Sequence, residues 1–231
     1  MAEVISMDEV RAVIAAPIAR HFVTSADGTR IAYYVAGRGK GRLVLAPGLG
    51  TSVIAWKYLF EDLADHYTMV TWDPRGTYDS AAPADLAALR VQDHAMDGFT
   101  VLAAAGFDRY VLGGWSMGVQ IALEMAHRAP DRTQALILIN GAHAHVLDSA
   151  LPVPVPGLGR VIEGLLKASL PVMPTLGRGL SAVLRNDKTP ALLHRIGIVS
   201  GESDANVAHF GLMVKEFARQ NWDVYFRMML A

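Results

Sequence analysis

Ser116 is the side chain of this sequence best placed for chemistry. It stands in Gly114-Trp115-Ser116-Met117-Gly118, directly after the apolar run Tyr110-Val111-Leu112 and before Val119 to Ala126, a stretch of helix-forming composition. A serine between strand and helix, with glycine two positions away on either side, is the pattern of a nucleophile elbow. The turn is so sharp that side chains at the flanking positions would collide. A hydroxyl is a poor nucleophile at neutral pH, so it needs a base to take its proton and donors to hold the oxyanion its attack creates. A helix starting just behind Ser116 aims N–H groups at that developing charge.

The elements that must position this serine follow from the pattern on either side of it. His21 to Thr24 and Thr29 to Val35 read as strands joined by a turn at Ala26-Asp27-Gly28, and Leu43 to Ala46 as a buried strand. The glycine-basic stretch Gly37 to Arg42 is not a phosphate loop, because Gly41 rather than Ser or Thr follows Lys40 and a strand comes next. After Pro47-Gly48-Leu49-Gly50 the pattern predicts a helix over Val53 to His66 and a strand over Tyr67 to Trp72. A polar loop, a helix from Leu89 to Ala105 and a strand from Arg109 to Gly113 follow. Gln134 to Asn140 is nearly all apolar, as a parallel strand covered on both faces would be. The fold class is therefore α/β, a mostly parallel sheet with helices on both faces. The proline-rich stretch Leu151 to Gly157 ends this alternation, and helical segments without a comparable strand run to Ala231. The expected division is a core at residues 1–142, holding strands one to six, and a helical cap or lid at 143–231, with the sequence stopping before the last core strands.

Three motifs in compatible order resemble the α/β-hydrolase superfamily, in its capped branch, over roughly Arg20 to Ala142: the elbow, Pro47 to Gly50, and Asp73-Pro74-Arg75-Gly76-Thr77-Tyr78-Asp79-Ser80. The resemblance implies an acyl-enzyme at Ser116, with the backbone N–H groups of Leu49 and Met117 as the oxyanion hole. Pro47 stands where the family often has histidine, and Tyr78 where it often has glycine. These departures point to a subgroup with its own pocket shape. The Asp73 to Ser80 loop is assigned to structure, Asp73 and Ser80 satisfying loop N–H groups and Arg75 pairing with a carboxylate. Of the apolar side chains that could line an acyl pocket, Trp72, Trp115, Met117 and Met125, those beside the nucleophile are favoured, and Trp115 is taken as substrate-binding. Serine rather than aspartate at the elbow argues against the dehalogenase and epoxide-hydrolase branches.

In this fold the acid and then the histidine follow the serine along the chain. Five histidines do: His127, His143, His145, His194 and His209. His127, beside Arg128, suits the C-terminal end of the elbow helix. His143 and His145 come just after the sixth strand, nearest the catalytic edge, whereas His194 and His209 fall in the cap segment and are expected to face solvent or substrate. Asp148, Asp187, Asp204 and Asp223 carry no distinguishing context and read as surface or helix-cap residues. Nothing resembles the family's acid strand or histidine loop. The favoured expectation is a truncated hydrolase, weakly active or inactive as it stands. A non-catalytic binding homologue and an enzyme with an unusual base stay open.

Composition narrows the partners. With 52% hydrophobic and 19% charged residues the chain can bury a sizeable core, and 21 basic against 22 acidic side chains leave no global field for nucleic acid or an anionic membrane. The absence of cysteine removes disulfides, thiolate zinc sites and cysteine nucleophiles. No cofactor and no metal are expected, and the partner is a small apolar or acyl substrate. The acidic N-terminus and the lack of a spanning apolar run give a cytoplasmic expectation. Oligomeric state is not legible.

Overall fold

The computed structural model describes residues 6–141, 158–186, 188–195 and 204–231, with side chains at all of these except 158–163, 194 and 204–207. A six-stranded sheet runs in the order β1-β2-β4-β3-β5-β6: Ile18–Thr24, Arg30–Ala36, Tyr67–Trp72, Gly41–Ala46, Tyr110–Trp115 and Thr133–Ile139 in that spatial sequence. β1 and β2 form the antiparallel hairpin at one side, and β2 pairs antiparallel with β4. β4, β3, β5 and β6 are mutually parallel, so their C-terminal ends, and the loops leaving them, gather at one edge.

Alternate residues of each inner strand feed the two faces, as a period of two requires. Leu43, Leu45 and Met69 pack on one face with Val10 of α1 (Met7–Val13), Ile14 just after it and Phe60 of α2 (Lys57–Leu63). Val44, Ala46, Val70 and Trp72 pack on the other with Val101 and Leu102 of α3 (Val91–Ala105) and Ile121 and Met125 of α4 (Met117–Arg128). The helix expected over Val53 to His66 is shorter. Val53–Trp56 is a 3₁₀ turn, and the α-helix occupies Lys57–Leu63 alone. α1, unread in the sequence, is capped by Ser6 and Glu9, each side chain bonding the other's backbone N–H.

Past Gly141 the described residues form only helices: α5 (Leu158–Ser169), α6 (Met173–Leu184), α7 (Thr189–Arg195), α8 (Asp204–Phe217) and α9 (Trp222–Met229). Asn221 caps α9, and Trp222 of α9 donates its indole N–H to Ser181 Oγ of α6 at 2.7 Å. Among the described residues no helix is long and apolar enough to cross a membrane.

Candidate active site

The elbow is built by close approach. A Cβ added at Gly114 would lie 2.2 Å from the Gly118 carbonyl oxygen, and one at Gly118 would lie 2.1 Å from that of Ala46, so both positions exclude any side chain. Between them Ser116 takes φ +56° and ψ −121°, a strained setting for a side-chain-bearing residue. It is held there from both sides, its N–H donating to Ile139 O at 3.1 Å and its carbonyl accepting from Val119 N–H at 3.0 Å. The result is a solvent-exposed hydroxyl at the C-terminal edge of the sheet.

Pro47 to Gly50 leaves β3 beside it. A Cβ at Gly48 would stand 3.3 Å from Ser116 Cβ and 3.0 Å from Trp115 O, so this loop passes directly against Ser116. Leu49 N–H makes no hydrogen bond among the described residues. Met117 opens α4, and its N–H is one of the first-turn donors that no helix satisfies internally. The Leu49 and Met117 backbones thus lie on either side of an exposed serine.

The Asp73 to Ser80 loop holds this edge from behind. Asp73 Oδ2 accepts from Tyr34 Oη at 3.1 Å and Asp79 N–H at 3.2 Å. Ser80 Oγ donates to Asp73 O at 2.8 Å and accepts from Ala32 N–H at 2.9 Å. Arg75 forms a two-pronged pair with Asp97 of α3 at 2.6 and 2.7 Å, reaches Asp27 at 2.8 Å and bonds Ala88 O at 2.9 Å. Its guanidinium and the Asp97 carboxylate are almost wholly buried, and Ser25 Oγ also donates to Asp97. Burial drives the Asp73 carboxyl well above its ordinary range, and the neighbouring Asp79 charge adds to that.

α9 roofs the loop. Val224 and Met228 pack in one apolar cluster with Leu89, against which Leu49, Leu86 and Met117 also lie. The sequence reading named Leu49 and Met117 but missed Leu86, Leu89, Val224 and Met228, since no local pattern links the end of the chain to position 49. Trp115 is half-buried, its ring edge-on to Trp56 at 6.5 Å. Trp72 and Met125 are core, at 1% and 0% exposure.

No base joins Ser116 among the described residues; its side chain accepts no bond from its own helix, and no imidazole or carboxylate hydrogen-bonds to it. His127 lies in the last turn of α4, as expected. Of the two settings expected for His209, facing solvent is corrected. The residue is 9% exposed, its ring edge-on to Tyr58 at 5.1 Å, and burial followed by the charge of Lys57 lowers its pKa. Asp223 pairs with Arg227 one turn on in α9, at 3.0 Å. His143, His145, Asp148 and Asp187, and the side chains of His194 and Asp204, lie outside the described residues. Among the described residues no three His, Cys, Asp or Glu side chains are grouped to hold a metal ion.

The strand order and a serine elbow after β5 define the class of protein. The sequence model of the alpha/beta hydrolase fold matches residues 41–224, and the chain belongs to that family. It is 34% identical over 99 residues to the putative carbamate hydrolase RutD of Klebsiella pneumoniae, covering 43% of this chain and 37% of that protein. It is 30% identical over 151 residues to N-formylmaleamate deformylase of Pseudomonas putida, covering 61% and 54% respectively. The matched parts thus span about a third to a half of these relatives' lengths. A crystal structure of a hydrolase from Pseudomonas aeruginosa matches with a TM-score of 0.63 at 21% identity, over 91% of this chain and 72% of that one, a likeness of fold.

Proposed function

We propose that this chain is a serine hydrolase, acting on a small ester or related acyl substrate through an acyl-enzyme at Ser116. The observation that carries the reading is an exposed serine on a strained strand-to-helix turn, with the Gly48–Leu49 backbone against its Cβ and a helix N-terminus behind it. In the reaction Oγ adds to the substrate carbonyl carbon, the carbonyl oxygen takes the negative charge, and Leu49 and Met117 N–H groups hold it. Collapse of that intermediate expels the alcohol or related leaving group, and water later releases the acid. The partly exposed apolar side chains of Leu49, Trp115 and Met117 beside Ser116 favour an apolar acyl group. On this reading residues 143–231 act as a cap, and their side chains set substrate choice.

The hydroxyl proton needs an acceptor, and none hydrogen-bonds to Oγ among the described residues. Without such an acceptor an oxyanion hole and binding supply only roughly 10³ to 10⁴-fold over water. That same unengaged hydroxyl favours a second reading, a binding homologue without turnover. An alkyl fluorophosphonate decides between them. The enzyme reading expects slow labelling at Ser116 that Ser116→Ala abolishes. A folded sample that stays unlabelled after prolonged exposure would rule that reading out for this chain.

A further inference from the structure

Position 78 carries an unusual backbone. Tyr78 adopts φ +45°, a region that a bulky L side chain resists and a glycine occupies freely. Such strain persists where surrounding contacts over-determine it. Here the contact is specific: Tyr78 Oη donates to the carbonyl oxygen of Gly50, in the loop against Ser116.

That carbonyl heads a short chain of hydrogen bonds. The Gly50–Thr51 peptide, whose oxygen Tyr78 engages, uses its own N–H to donate to Gly48 O at 3.2 Å. The Gly48–Leu49 peptide, whose oxygen is thereby engaged, carries Leu49 N–H on its opposite side, as a trans peptide must. Each bond in such a series polarises the next. The loop is also clamped from above: a Cβ at Gly50 would lie 2.6 Å from the Phe217 ring and 3.0 Å from that of Tyr225. Burial, then the charges of Asp73 and Glu216, raise the Tyr78 phenol well above its ordinary range, so it remains a donor throughout the working pH range.

We propose that Tyr78 is a positioning residue of the active site. Through the Gly50–Thr51 and Gly48–Leu49 peptides its hydroxyl orients and polarises the Leu49 N–H that serves as an oxyanion donor. The inference rests on the serine-hydrolase reading, and the competing account is that the tyrosine ring only fills space beneath α8 and α9.

Two variants of the full chain separate these. Tyr78→Phe keeps the ring and removes the donor; Tyr78→Gly removes both and relieves the backbone. Two readouts apply, the NMR shifts of the Gly50 carbonyl carbon and the Leu49 amide, and the second-order rate of Ser116 labelling by an alkyl fluorophosphonate, with the melting temperature measured alongside. Tyr78→Phe is expected to move both shifts upfield and slow labelling about tenfold, less than the loss of a whole oxyanion donor, with little change in melting. Tyr78→Gly is expected to slow labelling at least as much. An unmoved Leu49 amide, or labelling by Tyr78→Phe at the wild-type rate, overturns the proposal. Should wild type not label at all, the serine-hydrolase reading falls, and the Leu49 amide shift alone decides whether Tyr78 controls that N–H.

Discussion

Glu216 and His94 give the stability of this chain opposite dependences on pH. Burial raises Glu216 to about 7, Arg219 working against the shift and Glu9 and Asp79 with it. The folded chain thus keeps a proton that an unfolded glutamate releases near its ordinary 4.5, and the stability this confers is full below that value and lost as pH rises through about 7. His94, fully buried, is held down to about 4 by its burial and then by the Arg75 charge. Its contribution is present above 6.5 and lost as pH falls through about 4. Glu216→Gln, neutral at every pH, is expected to match wild type near pH 5 and exceed it by on the order of 2 kcal/mol near pH 8. Urea titrations across that range check this; parallel curves for the two proteins would contradict it. At this scale the sequence was legible where geometry is local. Gly114 and Gly118 announced a turn without room for side chains, and the structure shows the carbonyls that fill the space. Tyr78 was seen only as a departure from the family pattern, because its partner, Gly50 O, is 28 positions away.

Among the elements, the Asp73 to Ser80 loop depends on α3 through one ion pair. Arg75 and Asp97 have side chains 2% and 0% exposed, so removing one leaves an uncompensated charge where water cannot reach. Arg75→Met is expected to cost about 3–5 kcal/mol, and adding Asp97→Leu to recover most of it. A double-mutant cycle by urea unfolding measures the coupling; equal losses in the single and double variants would show that the pair is not what ties loop to helix. Strands were read well because apolar runs between turn signals are local, and β4 matches its expected Tyr67 to Trp72 bounds. The helix after Gly50 was overdrawn, since its 3₁₀ first turn carries the same apolar residues as an α-helix. The contact of α9 with Leu49 and Met117 was not legible, being a matter of tertiary docking between segments more than 100 positions apart.

At the scale of the molecule, the alternation of strands and helices made the α/β class readable. The spatial order, with β3 inserted between β4 and β5, was not legible from periodicity, which says nothing of which strands pair. One feature of that order bears on association in solution. β6 is the outermost strand, with no partner beyond it among the described residues, and Leu136, Ile137, Leu138 and Ile139 are 40–46% exposed. The sequence reading took Gln134 to Asn140 as a strand covered on both faces, and the exposure of β6 corrects that expectation. Ile137→Lys is expected to reduce concentration-dependent association while leaving the melting temperature within a few degrees, measured by static light scattering. Unchanged scattering would place the sticky surface elsewhere. With a formal net charge of −1, the molecules have almost no long-range repulsion to hold such edges apart. In colloidal terms the second virial coefficient should be negative near neutral pH, and added salt, having so little repulsion to screen, should change it little.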